Sequence, residues 1–127
     1  MKPMKIAICA SMVFTEKMLK IKKKLEKLGH KVFISGFADS YVGKKEEEIE
    51  KLKLHHKFAK DAIREFWEKI KKSDAVLVLN YDRKGVKNYI GGNTLMEIGF
   101  AHVLNKGIYL ANPIPEIEFY KSEIQAV

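Results

Sequence analysis

Cysteine is nearly absent from this 127-residue chain. Cys9 is the single one, so no intrachain disulfide and no cysteine-based zinc cage can form. It lies inside an apolar run and reads as a buried, inert thiol. No run of about 18 apolar residues occurs, so no membrane span is expected. The apolar stretch Ile6 to Ala10, behind the basic Met1 to Lys5, is too short for the core of a secretory signal. With a lone thiol, that makes the cytoplasm the expected address. Arginine is scarce as well. The formal charge is +8, yet Arg64 and Arg83 are the only arginines. Bidentate readout of bases and phosphates favours arginine, and no basic stripe interleaved with aromatics is present. Much of the lysine falls in helical stretches such as Lys17 to Lys27, where a solvated face accounts for it. Nucleic acid is therefore not the expected partner.

What is present has the pattern of a globular α/β domain spanning residues 1–127. Met4 to Ala10 reads as a buried strand. Thr15 opens a helix to Leu28, with Met18, Leu19, Ile21, Leu25 and Leu28 at helical spacing, and Gly29 stops it. Lys31 to Ser35 is a second strand. Ser40 to Lys72 is highly charged but keeps a helical period, as one long helix or two broken ones, with Lys44 to Glu50 a candidate flap. Asp74 to Tyr81 contains Ala-Val-Leu-Val-Leu, a continuous apolar run suited to a central parallel strand. Asp82 to Ile90 is a loop, Asn93 to Leu104 a helix and Gly107 to Ala111 a fourth strand. Past Pro113 and Pro115 a last helix is expected over Glu116 to Gln125. This order predicts a single-domain, three-layer, open and mostly parallel sheet of four to five strands, flavodoxin- or Rossmann-like. The last helix is followed at once by Val127, where such a sheet would add a strand, so a truncated chain or an edge supplied by a partner is an expectation.

In open parallel sheets ligands bind beyond the carboxyl ends of the strands. Those ends supply Ser11 and Met12 after the first strand, Asn80, Tyr81 and Asp82 after the third, and Asn112 after the fourth. The loop after the third strand leads into Gly91-Gly92-Asn93-Thr94-Leu95-Met96-Glu97. Its glycines let the backbone approach a ligand, and Asn93 or Thr94 can cap the helix that follows. The helix start offers free N–H groups and partial positive charge. On this reading Glu97 falls in the first turn. Thr-x-x-Glu also fits a capping box, in which the glutamate only ties down the helix start. His55-His56 reads as a solvated or packing pair rather than a metal site. His102 falls off the Glu97 face, and Trp67 reads as core or an oligomer contact.

The run Asn93-Thr94-Leu95-Met96-Glu97-Ile98-Gly99-Phe100-Ala101 resembles the signature of the nucleoside 2-deoxyribosyltransferases and their relatives, including 2′-deoxynucleoside 5′-phosphate N-hydrolases. Ile6 to Phe14 is similar to that family's first strand and turn, and Ser73 to Asn80 to its third strand. The resemblance implies Glu97 as the nucleophile that attacks C1′ of a sugar, with no metal and no cofactor. It further implies that Ser11 and Met12, with Gly91, Gly92, Asn93 and Thr94, hold a phosphate or sugar hydroxyl. Asn80 and Asp82 would orient sugar or base, Tyr81 or Tyr89 would border the base pocket, and Asn112 is a further substrate-binding candidate. The family's second carboxylate, on the helix before the third strand, is replaced here by Phe66, and an aspartate six residues before the glutamate is replaced by Gly91. Asp82 is taken as the second catalytic carboxylate, with Glu65 as the other candidate. The Gly-Gly-x-Thr-x-x-Glu run also resembles the phosphate signature of lysine-decarboxylase-like phosphoribohydrolases, which cleave the same kind of bond. The implied partners are a small nucleoside or nucleotide and further copies of the chain, as a homodimer or larger, with Tyr120 and Glu123 closing a neighbour's site. The expected activity is hydrolysis or transfer at an N-glycosidic bond; the alternative is a non-catalytic nucleotide-binding module.

Overall fold

The computed structural model describes residues 2–127. Four strands form one parallel sheet: β1 (Lys5–Cys9), β2 (Lys31–Phe33), β3 (Ala75–Val78) and β4 (Gly107–Leu110), in the order β2-β1-β3-β4. β1 pairs with β3 from Ile6 opposite Ala75 to Cys9 opposite Val78. The helices are α1 (Thr15–Lys27), α2 (Glu46–Ala59), α3 (Ala62–Lys72), α4 (Gly92–Val103) and α5 (Lys121–Ala126). The fold is α/β, in three layers, flavodoxin-like. Successive side chains of a strand face opposite ways, and the core divides accordingly. Ala7, Cys9, Val76 and Val78 pack with Phe66, Ile70, Ile98 and Ala101 beneath α3 and α4. Ile8 and Leu79 pack with Phe14 and Met18 beneath α1. Both faces of β1 and β3 are thus apolar, which is why these strands read as continuous apolar runs.

Chain punctuation sets the ends of the helices. After α1, Gly29 takes φ +96°. Its N–H donates to the Glu26 carbonyl at 3.0 Å and the His30 N–H to the Leu25 carbonyl at 3.1 Å, a Schellman closure. The charged stretch resolves into two helices, because Asp61 takes φ +48° and its carboxylate accepts from the Arg64 N–H at 3.3 Å, starting α3 afresh. Residues 46–50 of the expected flap are the first turns of α2. The last helix is shorter than expected. Residues 113–120 are irregular, held where Asn80 donates to the Pro113 carbonyl at 3.1 Å and the Tyr120 hydroxyl to the Ile90 carbonyl at 2.5 Å. No helix among the described residues is long and apolar enough to cross a membrane.

Sheet order reverses direction at β1, which has β2 on one side and β3 on the other. The crevice past the ends of β1 and β2 is roofed by the turn before α1, the start of α4 and the inner faces of α2 and α3. A cavity lies there.

Candidate active site

The cavity is lined by Ser11 and Met12 after β1, Ser35 and Phe37 after β2, and Tyr41. Lys53, His56 and Lys57 of α2 and Phe66 of α3 form a second wall. Tyr89, Gly91, Gly92, Asn93, Thr94, Met96 and Glu97, with Phe100, form a third. Its volume is about 90 Å³, small against the ~300–1,000 Å³ usual for small-molecule sites. A ligand of nucleoside size needs a wall to give.

The start of α4 differs from the sequence reading. Gly91, not Asn93 or Thr94, is the N-cap, and no side chain caps this end. The helix begins at Gly92, so Thr94 is already its third residue, and its side chain, 3% exposed, makes no cap bond. The first amides of α4 have no intrahelical acceptor, and the residues carrying them line the cavity. Glu97 therefore falls in the second turn rather than the first. The capping box does not form, and the carboxyl opens on the cavity instead of its own helix amides.

Burial and two neighbouring groups set the ionisation of Glu97. Burial pushes its pKa up to about 8, the neighbouring Cys9 thiol acts against that rise as a potential donor, and the negative charge of Glu65 adds to it. Cys9 is 1% exposed at the end of β1, and burial beside Glu97 pushes its thiol well above the ordinary range. Glu65 is the second carboxylate within electrostatic reach. Its Oε1 accepts from the Gly36 N–H at 3.0 Å and pairs with the Lys69 ammonium at 2.7 Å. Its Oε2 is buried without a hydrogen-bond partner among the described residues.

Eight of the residues singled out from sequence thus share the cavity: Ser11, Met12, Tyr89, Gly91, Gly92, Asn93, Thr94 and Glu97. Four lie outside it. Asn80 is fully buried and clamps the ends of β3 and β4 together. Its Nδ2 donates to the Asn112 carbonyl at 2.9 Å, its Oδ1 accepts from the Asn112 N–H at 2.9 Å, and Asn112 Nδ2 donates to the Asn80 carbonyl at 3.0 Å. The Asn80 amide is consumed by that exchange, and the Asn112 amide gives its Nδ2 to it. Tyr81 packs edge-on against Phe14, ring centroids 5.4 Å apart, under the Lys17 ammonium. Asp82 accepts from the Asn88 N–H at 2.9 Å and shapes its own loop. It is not the second carboxylate of the cavity.

The α2 wall was not singled out from sequence. His56 is 7% exposed, stacked on Phe37 with centroids 4.2 Å apart. Burial, with the charge of Glu50, pushes the Tyr41 phenol up to about 12, so it keeps its proton, and its hydroxyl shares a hydrogen bond with His56 Nδ1 at 2.7 Å. Burial, then the nearby charges of His55 and Lys60, lowers the His56 pKa. The lowered pKa favours the neutral imidazole, and Nε2 has no hydrogen-bond partner among the described residues. The helical spacing of Lys53, His56 and Lys57 was the available signal. Its significance depended on which way the face of α2 turned.

Arg83 was also missed. A tight turn with Lys84 at φ +49° and Gly85 at φ +77° presents it. Its guanidinium pairs with Glu46 at 2.7 Å and Glu50 at 3.0 Å on α2, and donates to the Ser11 hydroxyl at 3.4 Å and the Tyr89 hydroxyl at 3.3 Å. This fastens the β3–α4 loop to the first turns of α2, and residues 46–50 are held rather than loose. Among the described residues no group of three or more His, Cys, Asp or Glu could hold a metal ion.

The fold is the nucleoside 2-deoxyribosyltransferase-like one. Among solved structures, the chain is similar to a 2-deoxyribosyltransferase from the psychrotolerant bacterium Bacillus psychrosaccharolyticus. The TM-score is 0.56 and the identity 20%, over 84% of this chain and 70% of that one. That protein is described as a suitable biocatalyst for the industrial synthesis of antiviral and antitumoral nucleosides. No protein-family model and no curated sequence matches the chain.

Proposed function

We propose that the protein is an N-glycosidase, cleaving the bond between base and sugar of a (deoxy)nucleoside or its 5′-monophosphate. One observation carries the reading: the Glu97 carboxyl opens on the cavity at the strand ends, bound by no helix amide, with the uncapped start of α4 beside it. As the C1′–N bond breaks, its electron pair leaves with the base, and positive charge develops at C1′. An ionised Glu97 oxygen stabilises that charge or bonds to C1′. The departing nitrogen takes up a proton. Water then attacks C1′, the bond to Glu97 breaks, and the proton of the water leaves to solvent. Ser11 and the amides of Gly92 to Thr94 hold sugar hydroxyls, and Met12, Met96 and Phe100 border the base.

Hydrolysis is favoured over transfer because Phe66 and Gly91 stand where the transferases carry the base-handling carboxylates. A second reading has one observation behind it. With its pKa at about 8, Glu97 is mostly protonated at neutral pH, as suits a nucleotide-binding module without turnover. Incubation with a panel of nucleosides and monophosphates, followed by chromatography for free base, decides between them. Base release that Glu97→Ala abolishes is expected, a loss of ~10³-fold or more in kcat. Binding without release selects the module. A cytoplasmic setting goes with this reading. So does a homo-oligomer, supported by the exposed Leu54 and Phe58 one turn apart on α2 and checked by sedimentation.

A further inference from the structure

The cavity has two chemically distinct ends. At one, Glu97 sits with Cys9 and Glu65, and its ionisation answers to burial and those two groups, not to any cation. At the other, α2 turns Lys53, His56 and Lys57 to the cavity from one helical face, residues three and four apart being neighbours. These cations are poorly compensated. Lys57 makes no ion pair among the described residues, and Lys53 has only Glu50, at 3.5 Å. Glu50 is shared with Arg83 at 3.0 Å. Lys53 is half-buried, and its pKa is lowered by burial and, against the pull of Glu50, by the charges of Arg83 and Lys57. Mutually repelling ammonium groups turned into a partly desolvated cavity cost stability unless an anion joins them.

We propose that the α2 wall is an anion site for the phosphate of a nucleoside 5′-monophosphate, held by the ammonium groups of Lys53 and Lys57 and the Nε2–H of His56. This deepens the N-glycosidase reading and rests on it for the placing of the sugar at Glu97. A phosphomonoester carries about −1.5 to −2 charge at neutral pH and three acceptor oxygens, which matches two ammonium groups and one imidazole N–H. The Tyr41 hydroxyl occupies His56 Nδ1 at 2.7 Å, which leaves Nε2 as the ring nitrogen open to the ligand; in the proposed site Tyr41 donates and Nε2 carries the proton. No carboxylate lines that wall. A phosphorylated substrate is thereby chosen over the free nucleoside.

The test is binding without turnover. Full-length Glu97→Gln protein is titrated calorimetrically with a deoxynucleoside 5′-monophosphate, the matching nucleoside and inorganic phosphate. The monophosphate is expected to bind at least ~10-fold tighter than the nucleoside, and Lys53→Gln with Lys57→Gln to remove ~10-fold or more of its affinity while leaving the nucleoside within about twofold. Circular dichroism of the same variant checks that it is folded; Lys57→Gln alone, a smaller change, is expected to lose part of the same affinity. Equal binding of nucleoside and monophosphate, no binding of either, or monophosphate binding indifferent to both lysines overturns the site. Lysine-dependent binding with no base release by the unsubstituted protein retains the anion site and removes the N-glycosidase reading alone.

Discussion

At the scale of single residues, Glu97 is governed by its neighbours as much as by its position. To act at C1′ it must be ionised. On the N-glycosidase reading kcat/KM therefore rises with pH through a limb near 8, the value set mainly by burial. The Cys9 thiol beside it acts against that rise as a potential donor. A hydroxyl donates more strongly than a thiol, so Cys9→Ser is expected to move the limb down and Cys9→Ala to move it up. A pH–rate series across the three proteins reads this directly. Limbs that coincide would show that the thiol does not influence the carboxylate. The Glu97 segment was legible because glycines, a helix start and an acid fall together within seven residues. Cys9 was read as an inert core thiol, and its burial is as expected. Its place beside Glu97 depends on β1 lying under α4, which no local pattern reveals. Asn80 and Asn112 misled for a related reason. Polar residues at strand ends suggest ligand contacts, but these two are 32 positions apart and meet only in the folded sheet, where each satisfies the other.

At the scale of elements, strands and helices were legible wherever the apolar period was strong. β1, β3, α1 and α4 fall within a few residues of their expected spans. The break between α2 and α3 was left open because the period runs through it, and a left-handed Asp61 is not announced by a charged sequence. The first turns of α2 read as a flap because they are highly charged. Most of that charge is used: Glu46 and Glu50 hold Arg83, and the hydrogen bond from Arg83 is the chief cause of the lowered pKa of Glu46. Arg83→Gln removes the fork that joins α2 to the β3–α4 loop. Hydrogen exchange over residues 44–50 should then accelerate by ~10-fold or more, with the β1 and β3 amides little changed, because local opening requires loss of that tie but not of the core. Exchange at 44–50 indifferent to the substitution would mean that helix packing, not the ion pair, holds the segment. Since the cavity is small for a nucleoside, the same loosening bears on entry, and bound nucleotide should slow the exchange again.

At the scale of the whole molecule, the site lowers the stability of the fold in alkali. A carboxyl whose pKa is raised in the folded state binds its proton more tightly there than in the unfolded chain. Between the ordinary carboxylate value, ~4.3, and the folded value of about 8, the native protein therefore holds more protons than the unfolded one. Over that window its stability falls as pH rises. The contribution of Glu97 is complete below the ordinary value, is lost as pH climbs to the folded value, and changes no further above it. Glu97→Gln keeps the shape and removes the charge. Near pH 4 the two proteins should melt together; by pH 9 the glutamine variant should be more stable by on the order of 5 kcal/mol. The comparison isolates Glu97, since Lys53 and His56, whose own pKa values are lowered, titrate alike in both proteins. Thermal unfolding at intervals from pH 4 to 9 measures the gap. A gap independent of pH would mean that the folded carboxyl keeps its ordinary pKa. The alkaline limb of activity should then move to lower pH with it, so one titration underlies both measurements.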